Sequence, residues 1–135
     1  MIVFTPDLFT NVAQIDEQHK ELFNRINIVA SMGDEPLSKE ETEKTLDFLG
    51  NYIIKHFDDE EKLQRKTGYP KFSWHHEMHK WYIAEFEKLK EEYCQNGPSE
   101  QFTLLLNKSI INWIVKHIKT VDMYLANYLN KHQPL

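Results

Sequence analysis

Three histidines fall within five positions in "WHHEMH" (residues 74–79), just after the turn-like "TGYP". Two imidazoles can address one point only from neighbouring places on one helix face. His75/His79 at i, i+4 and His76/His79 at i, i+3 both meet that spacing. Related residues recur in three other stretches: His19 in "IDEQHKEL", His56 and Glu60 in "HFDDEE", and His117 and Asp122 in "HIKTVD". Neutral imidazoles with carboxylates are a donor set for a metal ion.

Four long amphipathic segments must position these groups. The first runs from about Asp16, a plausible N-cap, to near Gly33, and "GDEPL" links it to the second. Ser38 with Glu41 forms a capping-box pattern, so the second helix starts there and runs to "GYP", where Gly68 and Pro70 oppose continuation. The third spans about Phe72 to Gln95 and stops at "NGP". The fourth starts at Ser99 and reaches at least His117, with a shorter piece, "VDMYLANYL", after it. Nothing alternates with period two, and short links imply antiparallel neighbours. The expected fold is all-α: an up-and-down antiparallel four-helix bundle filling residues 1–135 as one domain. Phe4, Leu8 and Phe9 read as an N-terminal arm packed across it, and the short last piece as a C-terminal helix.

Helical phase at about 100° per residue decides which groups face inward. In the third segment Phe72, Tyr82, Ile83, Phe86, Leu89 and Tyr93 form one stripe. His75 and His79 lie within it and His76 on its shoulder. Leu46, Leu49, Ile53, His56, Glu60 and Leu63 make the stripe of the second segment. Ile15, His19, Phe23, Ile26 and Ala30 make that of the first. Phe102, Leu106, Trp113 and His117 do so in the fourth, with Ser109 or Ile110 between. His117 and Asp122 are five apart, about 140° on an undisturbed helix. Both reach one site only if the helix ends, tightens or bulges, so an irregularity is expected at about residues 118–121, where Thr120 could cap the last helix. Asp58, Asp59 and Glu61 read as a solvated face, His132 as an exposed tail residue, and His76 as a surface or supporting group. Trp74 and Trp81 fall off the stripe. Cys94 reads as an inert thiol.

A lone inward histidine is ordinarily a satisfied core residue. Burying a polar group without a partner costs about 1–3 kcal/mol, and five imidazoles beside carboxylates cannot all find ordinary partners. A metal accepts their lone pairs together. Seven donors exceed one tetrahedral zinc site, which is also typically rich in cysteine. They suit two ions, with Glu60 and Asp122 as bridges and the histidines divided three and two. Mixed imidazole and carboxylate ligands point to iron or manganese.

"IDEQHKEL", "HFDDEE", "GYPKFSWHHEMH" and "WIVKHIKTVD" together resemble the hemerythrin family, over about Val12 to Tyr128. That family is itself a stock example of this bundle class, so the architecture gains no independent support from the likeness. The resemblance implies a non-haem di-iron centre, carboxylate- and oxo- or hydroxo-bridged, that binds dioxygen reversibly. It assigns His75, His79 and His117 to one iron and His19 and His56 to the other, with Glu60 and Asp122 bridging. The second iron keeps an open position, and Leu22, Phe57, Trp113 and Ile118 are the candidates for a dry apolar lining. Few carboxylates leave such a pair less electron-rich than in ferritin-like oxidases, which favours release of dioxygen over its activation.

The remaining totals exclude classes rather than choose one. A formal charge of −5 opposes general nucleic-acid binding, and no apolar run approaches the roughly 20 residues that cross a bilayer. "MIVFTPDLFT" lacks a basic, apolar and cleavable leader, and Cys94 alone makes no internal disulfide. A cytoplasmic dioxygen carrier rather than an enzyme is expected. The competing readings are an oxygen or redox sensor acting through a protein partner, and a di-iron peroxidase or oxidase.

Overall fold

The computed structural model describes residues 2–31 and 38–131. The expected helix end near Gly33, the "GDEPL" link and the expected exposure of His132 lie outside the described residues. The described residues contain helices and no strand. None of those helices is long and apolar enough to cross a membrane.

Helix α1 spans Ala13–Ala30, starting earlier than Asp16. Its N-cap, Val12, offers no side-chain bond. Asp16 works from inside the first turn instead, accepting from Thr10 N and Oγ1 at 2.8 Å and from Asn11 N at 3.2 Å. This holds the incoming chain in a bend where Asn11 takes φ 64°, a left-handed conformation asparagine tolerates.

Helix α2 spans Lys39–Thr67, and Ser38 Oγ accepts from Glu41 N at 3.1 Å, as the sequence motif requires. It stops at Gly68, whose φ of 68° a side chain would oppose, while Tyr69 N donates back to Gln64 O at 2.9 Å. Helix α3 spans Phe72–Asn96 and ends at Gly97. α1 packs on α2, α2 on α3, and α3 on the last helical rod.

That rod starts at Ser99, whose Oγ accepts from Phe102 N at 3.0 Å. It comprises α4 (Glu100–Leu105), α5 (Trp113–His117) and α6 (Met123–Lys131). Two wide π-helical turns, Leu106–Asn112 and Ile118–Asp122, join them. The junction residues Leu106, Trp113, Ile118 and Met123 all keep right-handed helical dihedrals. The expected irregularity at 118–121 is therefore a bulge. The "VDMYLANYL" piece continues the rod, and Thr120 does not cap it: its Oγ1 donates to Lys116 O at 2.8 Å.

The arm is clipped to α1, with Ile2 N donating to Asn27 Oδ1 at 2.9 Å and Asn27 Nδ2 to Ile2 O at 2.8 Å. Leu8 is buried and Phe4 meets Phe23 edge-on, but Phe9 stays 45% exposed. Two apolar clusters fill the bundle. One centres on Leu22, Phe23, Leu49, Ile53, Tyr82, Phe86, Ile114 and Ile118, the other on Ile15, Tyr69, Leu125 and Leu129. Along α1, His19 falls between Ile15 of the second cluster and Leu22 of the first, and along the rod Asp122 falls between Ile118 of the first and Leu125 of the second. The polar layer is thus closed by hydrocarbon at both ends.

Candidate metal centre

All seven candidate donors are buried, none more than 4% exposed. His19 comes from α1, His56 and Glu60 from α2, His75 and His79 from α3, His117 from α5, and Asp122 from the second wide turn. That turn brings His117 and Asp122 onto one face: His117 Nε2 lies 3.1 Å from Asp122 Oδ1.

Each carboxylate presents its two oxygens to different histidines. Glu60 Oε2 lies 3.2 Å from His56 Nε2 and 3.8 Å from His19 Nε2. Its Oε1 lies 2.9 Å from His75 Nε2 and 3.4 Å from His79 Nε2. Asp122 repeats the division, with Oδ2 at 3.1 Å from His19 Nε2 and Oδ1 at 3.0 Å from His75 Nε2. Two overlapping donor groups result: Glu60, His75, His79, His117 and Asp122, and His19, His56, Glu60 and Asp122. Within each, one ligand atom per residue lies within 4.8 Å of every other.

Hydrogen bonding alone does not satisfy this layer. Both Glu60 oxygens, Asp122 Oδ1, His79 Nε2 and both ring nitrogens of His19 are buried without a hydrogen-bond partner. Several N···O separations are short enough, yet the atoms do not point at one another. They crowd together instead, as the ligand atoms of a metal site do. Two donors each about 2.1 Å from one ion and at right angles lie roughly 3 Å apart, which is the spacing seen. The donor set fits metal.

Three histidines are held from behind through Nδ1. His56 Nδ1–H donates to Gln18 Oε1 at 2.7 Å, and Gln18 Nε2 donates to Asp59 Oδ2 at 2.9 Å. His79 Nδ1–H donates to Glu61 Oε2 at 2.9 Å, and Glu61 Oε1 also takes His76 Nδ1. Gln64 Nε2 stands 3.0 Å from His75 Nδ1 while its Oε1 lacks a partner. A half-turn of that amide lets Oε1 accept from Nδ1–H, leaving the Nε2 lone pair free. Glu61 is therefore buried and not part of a solvated face, and Asp59 is half-buried; Asp58 is exposed as expected. The sequence pattern singles out neither Gln18 nor Gln64 and sets Glu61 on the solvated face, although Gln64 continues the four-residue step from His56 and Glu60. Leu63, placed on that stripe instead, is only half-buried.

On protein charges alone the layer is strongly polarised. Burial opposes a charged His75, but Asp122 and Glu60 overcome it and push its pKa up to about 10. His19 and His79 rise for the same reason, against burial and toward their carboxylates. His56 falls, because burial outweighs Glu60 there. Burial would raise Glu60 and Asp122, yet neighbouring imidazoles hold both well below the usual carboxylate range.

Of the four candidate lining residues, Leu22 and Ile118 are fully buried in the larger cluster. Phe57 lies flat on His79 with centroids 3.8 Å apart and 5.8 Å from His56. Trp113 lies flat on His117 at 4.5 Å and is only partly buried; Ile114 takes the core position beside it. His76 stacks on Phe72. Trp74 and Trp81 are exposed, and Cys94 is an exposed free thiol.

Comparison with known proteins follows the same lines. Residues 10–129 match the family model for the hemerythrin HHE cation binding domain. The chain is 30% identical to a bacteriohemerythrin of Campylobacter jejuni and 29% identical to one of Methylococcus capsulatus. Each alignment takes in 116 residues and 84% of both chains. It is 28% identical to a myohemerythrin of Theromyzon tessulatum over 109 residues, 81% of this chain and 78% of that one.

Proposed function

The chain belongs to the hemerythrin family, and from that premise we propose that it binds dioxygen reversibly at a pair of non-haem iron ions. His75, His79 and His117 hold one ion, His19 and His56 hold the other, and Glu60 and Asp122 are shared. The observation that carries this is the split of each carboxylate: one oxygen toward His19 or His56, the other toward the remaining histidines. A single-ion site needs no such division.

Ferrous iron in this position supplies the electrons that dioxygen accepts on binding. The chain's own residues supply the rest. The side with two histidines has one imidazole fewer, which leaves room for a diatomic ligand there. Gln18 and Glu61 fix the tautomers of His56 and His79, so that Nε2 faces inward as a lone pair. Leu22, Phe57, Trp113 and Ile118 form the apolar wall that keeps water from the bound ligand. What supports a carrier over a catalyst is the donor set, five imidazoles to two carboxylates, which favours release of dioxygen intact. The unpaired Cys94 supports a reducing, cytoplasmic setting.

The test is anaerobic loading with ferrous iron, admission of dioxygen, then its removal. The expected result is two irons per chain and a charge-transfer spectrum that appears and reverses. One iron per chain, or immediate irreversible oxidation, overturns the reading.

A further inference from the structure

The candidate ligands are walled off from solvent, so no electron donor of protein size can touch them. A line of stacked rings nevertheless leads outward from His117. Trp113 lies against the His117 ring with centroids 4.5 Å and planes 16° apart. Trp81 stacks on Trp113 at 5.6 Å and 26°, and Trp81 is 47% exposed. Two ring contacts therefore connect the surface with the donor set.

The other aromatic routes are poorer. Phe4 meets His19 edge-on at 6.4 Å, and Tyr69 meets His75 edge-on at 6.5 Å. Phe57 lies closer and flat on His79, but it is itself buried. Among the described residues, only the tryptophan line combines near-parallel planes at each step with an end in water.

We propose that Trp81 and Trp113 form an electron path through which a one-electron carrier, of the flavin or iron–sulfur class, returns the oxidised centre to its ferrous state. This rests on the iron-binding reading above. A dioxygen carrier whose ions have become ferric is silent until reduced, and a closed apolar wall makes that reduction slow without a conducting route. In each transfer the donor loses one electron and one ferric ion gains it, so two transfers restore the pair. No covalent bond forms or breaks in the path, and the indoles are neither oxidised nor protonated. Their overlapping π systems supply the electronic coupling across the wall.

The experiment uses the full chain loaded with iron and oxidised to the diferric form. It is mixed anaerobically with reduced flavodoxin while the loss of ferric absorption is followed by stopped flow. Trp81→Leu and Trp113→Leu should each slow reduction severalfold. Trp74→Leu, which removes an exposed tryptophan outside the path, should not. Because Trp81 is exposed, Trp81→Leu should keep the iron content and thermal midpoint of the parent, so it carries the test even where Trp113→Leu folds poorly. Parent-like reduction of Trp81→Leu, or equal slowing in Trp74→Leu, overturns the path. A parent protein that retains no iron before mixing overturns the iron reading itself, and the two failures are distinct.

Discussion

Glu61 Oε2 stands 2.9 Å from His79 Nδ1, so two adjacent glutamates serve one centre from different directions. Glu60 turns into the donor layer, whereas Glu61, about 100° further round α2, reaches across to α3. There it accepts from the outer nitrogens of His79 and the half-exposed His76. A carboxylate behind an imidazole fixes its tautomer and raises its basicity. Glu61→Ala should therefore weaken iron binding by about 10–100-fold, measured by competition with a chromophoric chelator. Glu61→Gln, which still accepts from Nδ1–H, should recover part of the loss. Parent-like affinity in Glu61→Ala would show that His79 needs no support.

The turn at Ile118–Asp122 makes a prediction of the opposite kind, a tolerated deletion. A π turn holds one residue more than the α turn it replaces, without changing the phase of the helix beyond it. Removing Thr120, which is exposed, should restore a regular helix with His117 and Asp122 four apart and still on one face. Iron stoichiometry should stay at its parent value and the packing of Leu125 and Leu129 should survive. Adding an alanine after Thr120 should instead rotate Asp122 by about 100° and abolish the stable pair. The check is iron content after gel filtration for both variants.

Without iron, stability should fall as pH rises from about 6.5 toward about 10. His75 carries the sign: its folded pKa is raised from 6.5 to about 10, so the folded state binds the proton more tightly. Its stabilisation is complete below 6.5 and is lost as pH rises through the folded value. His19 and His79 shift in the same direction. His56 shifts downward and acts below 6.5, outside this window. Chemical denaturation of metal-free protein across that range should show the decline, and iron-loaded protein should lack it because the metal displaces the protons. A flat profile for metal-free protein would rule out a protonated His75.

The buried polar layer was legible in the sequence because six of its seven candidate donors, all but Asp122, interrupt an apolar stripe at helical phase, a combination that desolvation forbids without a reason. His19 stands between Ile15 and Phe23, and Glu60 follows His56 by four. Their supports were not legible. Gln18 and Glu61 sit at the shoulder of a stripe, where composition alone cannot separate a buried bond from a solvated side chain. The second wide turn betrayed itself by setting two polar ligands out of phase. The first, at Leu106–Asn112, contains no such pair, and Trp113 was accordingly placed in the core. Its trace is subtler: Phe102, Leu106, Ile110, Ile114 and Ile118 are all buried, a constant step of four that exceeds the 3.6 of an α-helix.

Gly50 gives a prediction in which two effects of known size compete. It lies inside α2, where alanine is better than glycine by about 1 kcal/mol for helix propensity. A Cβ built there meets Phe86 Cε1 at 2.6 Å, well inside contact distance. Phe86 is itself buried in the larger cluster, so its ring cannot swing into solvent, and overpacking of this kind costs about 1–3 kcal/mol. The clash should win: Gly50→Ala should lower the thermal midpoint. Combining it with Phe86→Leu should cost less than the sum of the two single changes, since the shorter side chain makes the room the methyl needs. Additive losses in a double-mutant cycle would mean that the close approach of α2 to α3 at Gly50 does not govern packing there.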